Sequence, residues 1–113
     1  MSSKIVSLSK NEDFKSLLTG RKVANKYSTI FFKKLSNKDL KKLNISFVTK
    51  KKIGNAVSRN KIKRRLRNIM NEAYKKIKIK FEYSYLIIAR QSVLKDPYEN
   101  IKQTFFKDFT NIK

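Results

Sequence analysis

The sequence predicts an α+β fold in which a four-stranded sheet and three helices form a two-layer α/β sandwich. Its 113 residues have the length of one domain. Hydrophobic residues make up 40 % of the chain and are spread along it, enough for one modest core. The apolar spacing changes between period 2, typical of strands, and intervals of 3 and 4 residues, typical of helices. Residues 1–113 are therefore predicted to form a single domain.

Two short helices are predicted from their capping patterns. The first begins near Ser9, which forms a capping-box pattern with Glu12, and it ends near Gly20. The last follows residues 96–99, where Asp96 is the expected cap and a proline occupies the first helical position.

Between them, a long helix is predicted to begin at Asn55 or Ser58 and to extend to about Lys78. Its apolar stripe consists of Ile62, Leu66, Ile69, Met70, Ala73 and Ile77. Four segments have the β-branched and aromatic composition of strands; they are Val23–Ala24, Tyr27–Lys34, Leu43–Lys50 and Tyr83–Arg90. The predicted order is αβββαβα.

The charge balance restricts the possible partners. The chain has 29 Lys and Arg against 8 Asp and Glu, a formal net charge of +21. A compact domain with this charge repels itself unless a polyanion neutralises it, so nucleic acid is the first candidate and an anionic membrane surface the second. No apolar run approaches the roughly 20 residues of a membrane span, and the opening residues lack the apolar stretch of a signal peptide. A cytoplasmic location without membrane attachment is expected.

The residue types argue against catalysis by the protein itself. The sequence has no His and no Cys, which excludes the ordinary nucleophile–base pairs, thiolate metal sites and disulfides. We therefore expect no catalytic residue and no metal ligand in this chain.

Positive charge is concentrated in one acid-free stretch, because no Asp or Glu occurs between Asp39 and Glu72. Helical geometry places most of the long helix's cations opposite its apolar stripe, whereas Arg59 lies at the stripe's edge and is expected to lean over the sheet. Such a run can be a merely solvated face, but a solvated helix usually mixes charges of both signs. The candidate RNA-binding residues are Lys50, Lys51, Lys52, Asn55, Arg59, Asn60, Lys61, Lys63, Arg64, Arg65 and Arg67.

Three aromatic residues are candidates for stacking on unpaired bases. Phe14, Phe31 and Phe47 are placed where they could lie on an exposed sheet face. The alternative, that they belong to the core, remains open for each of them.

Residues 53–67 read Ile-Gly-Asn-Ala-Val-Ser-Arg-Asn-Lys-Ile-Lys-Arg-Arg-Leu-Arg, and this segment resembles the signature of the protein subunit of bacterial ribonuclease P. Further similarities lie at residues 11–14, 23–25 and 86–90, so the resemblance covers nearly the whole chain. Two departures occur. Lys61 stands where an arginine is usual, which loses bidentate phosphate geometry, and three lysines precede Ile53 where two are usual.

The resemblance implies a left-handed crossover between the third and fourth strands, whereas general rules favour a right-handed one. It implies maturation of the 5′ end of transfer RNA by a catalytic RNA that uses Mg²⁺, with one protein for each RNA. The helix cations would bind that RNA. Phe14, Phe31 and Phe47, with Arg90 and the lysines at 50–52, would line a cleft for the 5′ leader of the precursor.

Two other functions fit parts of the pattern. A basic ribosomal or nucleic-acid-compacting protein would explain the bulk charge. A helix-turn-helix regulator would use residues 59–67 as its recognition helix, but that motif needs a preceding partner helix and strands are predicted instead.

Overall fold

The computed structural model describes residues 5–8, 10–35 and 41–113, so the predicted cap at Ser9 lies outside the described residues. The strands are β1 (Ile5–Val6), β2 (Arg21–Ala24), β3 (Ser28–Lys33), β4 (Leu43–Thr49) and β5 (Ser84–Ala89). The helices are α1 (Asn11–Leu18), α2 (Ala56–Lys76), α3 (Ser92–Lys95) and α4 (Tyr98–Asn111).

All five described strands form one sheet in the order β1-β4-β5-β3-β2. Strand β3 is antiparallel to β2 and β5, whereas β4 is parallel to β5 and β1. The predicted α+β class is confirmed, but the prediction of four strands and three helices was two elements short. Both missed elements, β1 and α3, are too short for their periodicity to be visible in the sequence.

Helices lie on both faces of the sheet. On one side, here called the α2 face, α2 and α4 cover Ile45, Tyr85, Ile87 and their neighbours, which form the main core. On the opposite side, the α1 face, α1 packs on β3 and β5 over a smaller apolar cluster. Gly20 permits this approach, because a Cβ there would lie 2.7 Å from the carbonyl oxygen of Phe32.

The α2 connection joins the parallel neighbours β4 and β5. Its hand follows from the chirality of L-residues. When a strand runs upward and a side chain points at the viewer, that residue's N–H and C=O point to the right. Arg90 follows β5 with its side chain on the α1 face, and its N–H donates to the C=O of Tyr27 beside β3. Seen from the α1 face with β5 running upward, β3 is therefore to the right of β5, and β4 is to its left. Helix α2 lies behind the sheet in this view. The connection thus passes from β4 on the left, behind the sheet, to β5 on the right, which is a left-handed crossover.

The ends of the two longer helices test the capping predictions. Asn55 caps α2 as expected, since its side chain accepts from the N–H of Ser58 at 2.9 Å. Asp96 does not cap α4. It ends α3, and its carboxylate accepts from the Tyr27 hydroxyl and contacts Lys26.

Candidate nucleic-acid interface

The start of α2 is suited to binding anions. Gly54 has φ +60°, a conformation natural to glycine, and it leads the chain into the Asn55 cap. No acidic residue occupies the first turn, so the positive end of the helix dipole and its free N–H groups are uncompensated.

The side of α2 opposite its buried stripe is cationic and exposed. The prediction of the stripe is confirmed from Ile62 to Ala73, whereas Ile77 lies just beyond the helix and is half-buried. The exposed residues, here called the cationic face, are Asn60, Lys61, Lys63, Arg64 and Arg67. In the described part of the chain, no acid forms an ion pair with any of these four cations.

The carboxylate nearest in sequence, that of Glu72, is engaged elsewhere. Glu72 accepts from the Tyr98 hydroxyl at 2.6 Å and lies 3.7 Å from the ammonium of Lys102. The hydrogen bond from Tyr98, with a smaller contribution from the lysines, holds the pKa of Glu72 below its usual value. Glu72 therefore ties α2 to α4 and does not neutralise the cationic face.

Phe47 does not lie with the other two candidate stacking residues. It is on the α2 face, where it packs against the main core, and the Arg67 guanidinium lies 5.9 Å from its ring centroid. Phe14 and Phe31 are on the α1 face, half-buried against the smaller cluster. The expectation that all three line one cleft is corrected: alternation along β4 turns Phe47 to the α2 face, away from Phe14 and Phe31.

A pocket of about 430 Å³ opens where β4 and β5 end. It is here called the strand-end pocket, and it is lined by Thr29, Lys50, Lys52, Ile53, Ile88, Ala89, Arg90 and Gln91. The structure thus brings together the predicted cations Lys50, Lys52 and Arg90, whereas Lys51 is exposed outside the lining. Thr29 lies on the same face as Phe31 two residues along β3, so the pocket continues the surface that bears the aromatic rings.

Sequence reasoning missed the uncharged lining of this pocket. Alternation from Phe31 could have indicated Thr29, but the contributions of Ile88 and Gln91 depend on the pairing of β3 with β5. It also missed Val57, a hydrophobic side chain that is 76 % exposed in the first turn of α2.

Two arginines of the motif are directed at the protein's own backbone. Arg59 donates from Nη1 to the carbonyl oxygens of Lys51 at 3.1 Å and Gly54 at 2.9 Å. Arg65 donates from Nη1 to the carbonyl oxygens of Val93 at 2.9 Å and Asp96 at 3.3 Å. Both side chains are half-buried. Arg59 was expected to lean over the sheet, but it turns back to the loop before α2.

Neither a metal-binding group nor a membrane span is found in the part of the chain that the structure describes. The Asp and Glu residues in that part form no cluster of three able to hold a metal ion. Likewise, none of the helices within residues 5–8, 10–35 and 41–113 has the length and apolar character needed to cross a bilayer.

A family model described as ribonuclease P matches residues 3–113. The chain belongs to the ribonuclease P protein family. It is 39 % identical over 98 residues to the ribonuclease P protein component of Carboxydothermus hydrogenoformans, covering 83 % of this chain and 79 % of the relative. It is 32 % identical over 106 residues to the component from Mycoplasma mycoides, covering 94 % of each.

Solved structures of the ribonuclease P family have the same fold. The Staphylococcus aureus RNase P protein superposes with a TM-score of 0.73 at 28 % identity, covering 91 % of this chain and 90 % of that one. The Thermotoga maritima protein superposes with a TM-score of 0.78 at 22 % identity, covering 96 % and 98 %. This second likeness supports the fold alone.

Membership of the ribonuclease P family confirms the resemblance in residues 53–67 and with it a role in processing the 5′ end of transfer RNA. The alternative of a ribosomal or compacting protein is not favoured. A helix-turn-helix arrangement is also absent at α2, which follows strand β4 in the described structure.

Proposed function

We propose that this chain is the accessory protein of a ribonuclease P whose catalyst is RNA. In this proposal the protein binds the catalytic RNA through the cationic face and holds the 5′ leader of precursor transfer RNA on the α1 face. The observation that supports it best is the exposed set of α2 cations that pair with no acid among the described residues, because uncompensated charge of this density is stabilised by phosphates.

The two contacts use different chemistry. On the cationic face, Arg64 and Arg67 present planar guanidinium groups that can pair with phosphate oxygens in two-point fashion. Phosphate contacts fix position without reading sequence, which suits attachment to one structured RNA.

The leader contact combines stacking with charge. Phe14 and Phe31 offer ring faces to unpaired bases, and stacking of this kind contributes about 1–3 kcal/mol per base. Lys50, Lys52 and Arg90 lie beside them at the strand-end pocket and would neutralise the leader's phosphates. Phe47 is left out of this surface because it lies on the opposite face of the sheet.

Hydrolysis itself is assigned to the RNA. No group of three or more acidic residues that could hold a metal ion occurs among the described residues, and in this proposal the Mg²⁺ ions are bound by the catalytic RNA and the substrate phosphates. The protein would act in the cytoplasm, one copy to each RNA, by reducing the repulsion between the two RNAs.

The proposal is tested with purified catalytic RNA and a precursor transfer RNA at low Mg²⁺. We expect the protein to restore cleavage under conditions where the RNA alone is slow, because protein cations then replace part of the magnesium. Arg64→Ala/Arg67→Ala should restore much less, whereas Lys80→Ala/Lys107→Ala, which removes the same charge from exposed sites outside α2, should behave as the unchanged protein. If added protein altered neither turnover nor precursor affinity, the proposal would be wrong.

A further inference from the structure

We propose that Arg59 and Arg65 are positioning residues that anchor the two walls of the strand-end pocket to α2. Both were expected to bind the catalytic RNA. Their hydrogen bonds instead point to an action on the leader through the shape of the pocket, so this inference rests on the leader contact proposed above.

The first wall is the loop between β4 and α2. Its lining residues Lys50, Lys52 and Ile53 lie within a short turn in which the N–H of Ile53 donates to the Lys50 carbonyl at 3.0 Å. The two carbonyls that Arg59 holds belong to Lys51 and Gly54, which directly flank the pair at 52–53. A single guanidinium nitrogen therefore fixes this turn against the first turn of α2.

The second wall is the segment from the end of β5 into α3. Arg90 and Gln91 line the pocket, and their carbonyls accept from the N–H groups of Val93 at 3.2 Å and Leu94 at 2.9 Å. Helix α3 has only four residues, too few to be stable by itself. Arg65, from α2, stabilises α3 by donating to the carbonyl of Val93 within it and to the carbonyl of Asp96 just after it.

The chemistry of these contacts separates positioning from charge. The acceptors are neutral backbone carbonyls, and the contacts depend on the reach of Nη1 and on its fixed orientation in the planar guanidinium, which a positive charge alone does not supply. A lysine at either position keeps the charge but replaces the planar guanidinium with a shorter side chain that ends in a flexible ammonium. Arg→Lys changes should therefore loosen the walls while leaving the protein's net charge intact.

The test measures the leader's contribution to binding by the complete holoenzyme. For each variant, the affinity for a precursor with a full leader is divided by the affinity for one whose leader is trimmed to a single nucleotide. We expect Arg59→Lys to lower this ratio about fivefold, the value of roughly one lost hydrogen bond. Arg64→Lys, a matched change on the cationic face, should alter the two affinities equally and leave the ratio unchanged.

A double-mutant cycle shows whether Arg59 acts through the loop. If it does, adding Arg59→Lys to Lys52→Ala lowers the ratio less than the product of the single effects. Hydrogen exchange gives a second readout: Arg59→Lys should speed exchange at the Ile53 amide and leave the amides in the middle of α2 unchanged.

The possible failures differ. If Lys50→Ala/Lys52→Ala left the ratio unaltered, the leader contact and the inference built on it would both be wrong. Only the positioning role would be overturned if Lys50→Ala/Lys52→Ala lowered the ratio but Arg59→Lys did not. The same would follow if the effects of Arg59→Lys and Lys52→Ala simply multiplied in the double variant.

Discussion

The position of Phe31 and of Phe47 in its strand decides on which face of the sheet the aromatic ring lies. Both are half-buried aromatic residues of the same sheet, in the two strands that flank β5. Phe31 is on the α1 face beside Leu86, whereas Phe47 is on the α2 face beside Ile87. In the proposed leader contact Phe31 stacks on a base, whereas Phe47 packs against the main core with the Arg67 guanidinium 5.9 Å from its ring centroid.

We expect Phe31→Leu to lower the affinity for a long-leader precursor several-fold, because a branched aliphatic group cannot stack on a base. Phe47→Leu should leave the leader's contribution unchanged and instead lower the free energy of unfolding by about 1 kcal/mol, as for other swaps of hydrophobic core residues. Precursor affinity and urea unfolding, measured on both variants, separate the two roles. A loss of leader affinity confined to Phe47→Leu would contradict the assignment of faces.

Alternation alone could place Phe47 with Ile45 on one face of β4. It could not show that this was the face covered by α2, because that depends on the hand of the crossover and on strand pairing. The same limit applies to Arg59 and Arg65: helical spacing gave their angle on α2, but their acceptors are carbonyls of segments brought close only by the fold.

At the level of elements, Asp96 joins three parts of the chain. Its carboxylate lies 2.8 Å from the Lys26 ammonium and accepts from the Tyr27 hydroxyl at 2.7 Å, which ties the β2–β3 turn to the junction of α3 and α4. The hydrogen bonds from Lys26 and then from Tyr27 hold the pKa of Asp96 below its ordinary value. A carboxyl with a lowered folded-state pKa stabilises the fold above its ordinary value of about 4 and loses this contribution as the pH falls further.

Asp96→Asn should therefore lower the free energy of unfolding at pH 7, and the difference from the unchanged protein should shrink as the pH falls below about 4. Urea unfolding of both proteins across this range measures it. Asp108→Asn serves as the matched control, since its carboxylate accepts only a neutral amide hydrogen bond from Asn25 among the described contacts. A difference that stayed constant with pH would mean that the charge on Asp96 has no part in the junction.

Elements with a clear periodicity or cap were predictable, whereas β1 and α3 were not. Helix α2 has a five-residue buried stripe and a strong cap, and of its two predicted caps Asn55 is the one confirmed. Asp96 followed by proline has the pattern of a helix cap, yet its carboxylate is used by Lys26 and Tyr27, partners about 70 residues away in sequence. Tertiary hydrogen bonds of this kind override a local signal.

For the whole molecule, the dominant quantity is the net charge of +21. Asp96, Glu82 and Glu72 pair with Lys26, Lys34 and Lys102, all of which lie away from the cationic face. These acids therefore leave the cationic face unneutralised, and a polyanion would be stabilised there. Composition was sufficient to predict such a partner, and the motif at residues 53–67 narrowed it to one family.

The central claim is that the cationic face of α2 lies against an RNA backbone, and the salt dependence of binding to the catalytic RNA tests it most directly. Each phosphate contact contributes about 0.7–0.9 to the slope of log affinity against log salt concentration. Arg64→Ala/Arg67→Ala should reduce that slope by about one to two units, whereas Lys80→Ala/Lys107→Ala should leave it unchanged. Equal slopes for the Arg64/Arg67 variant and the unchanged protein would place the RNA on another surface.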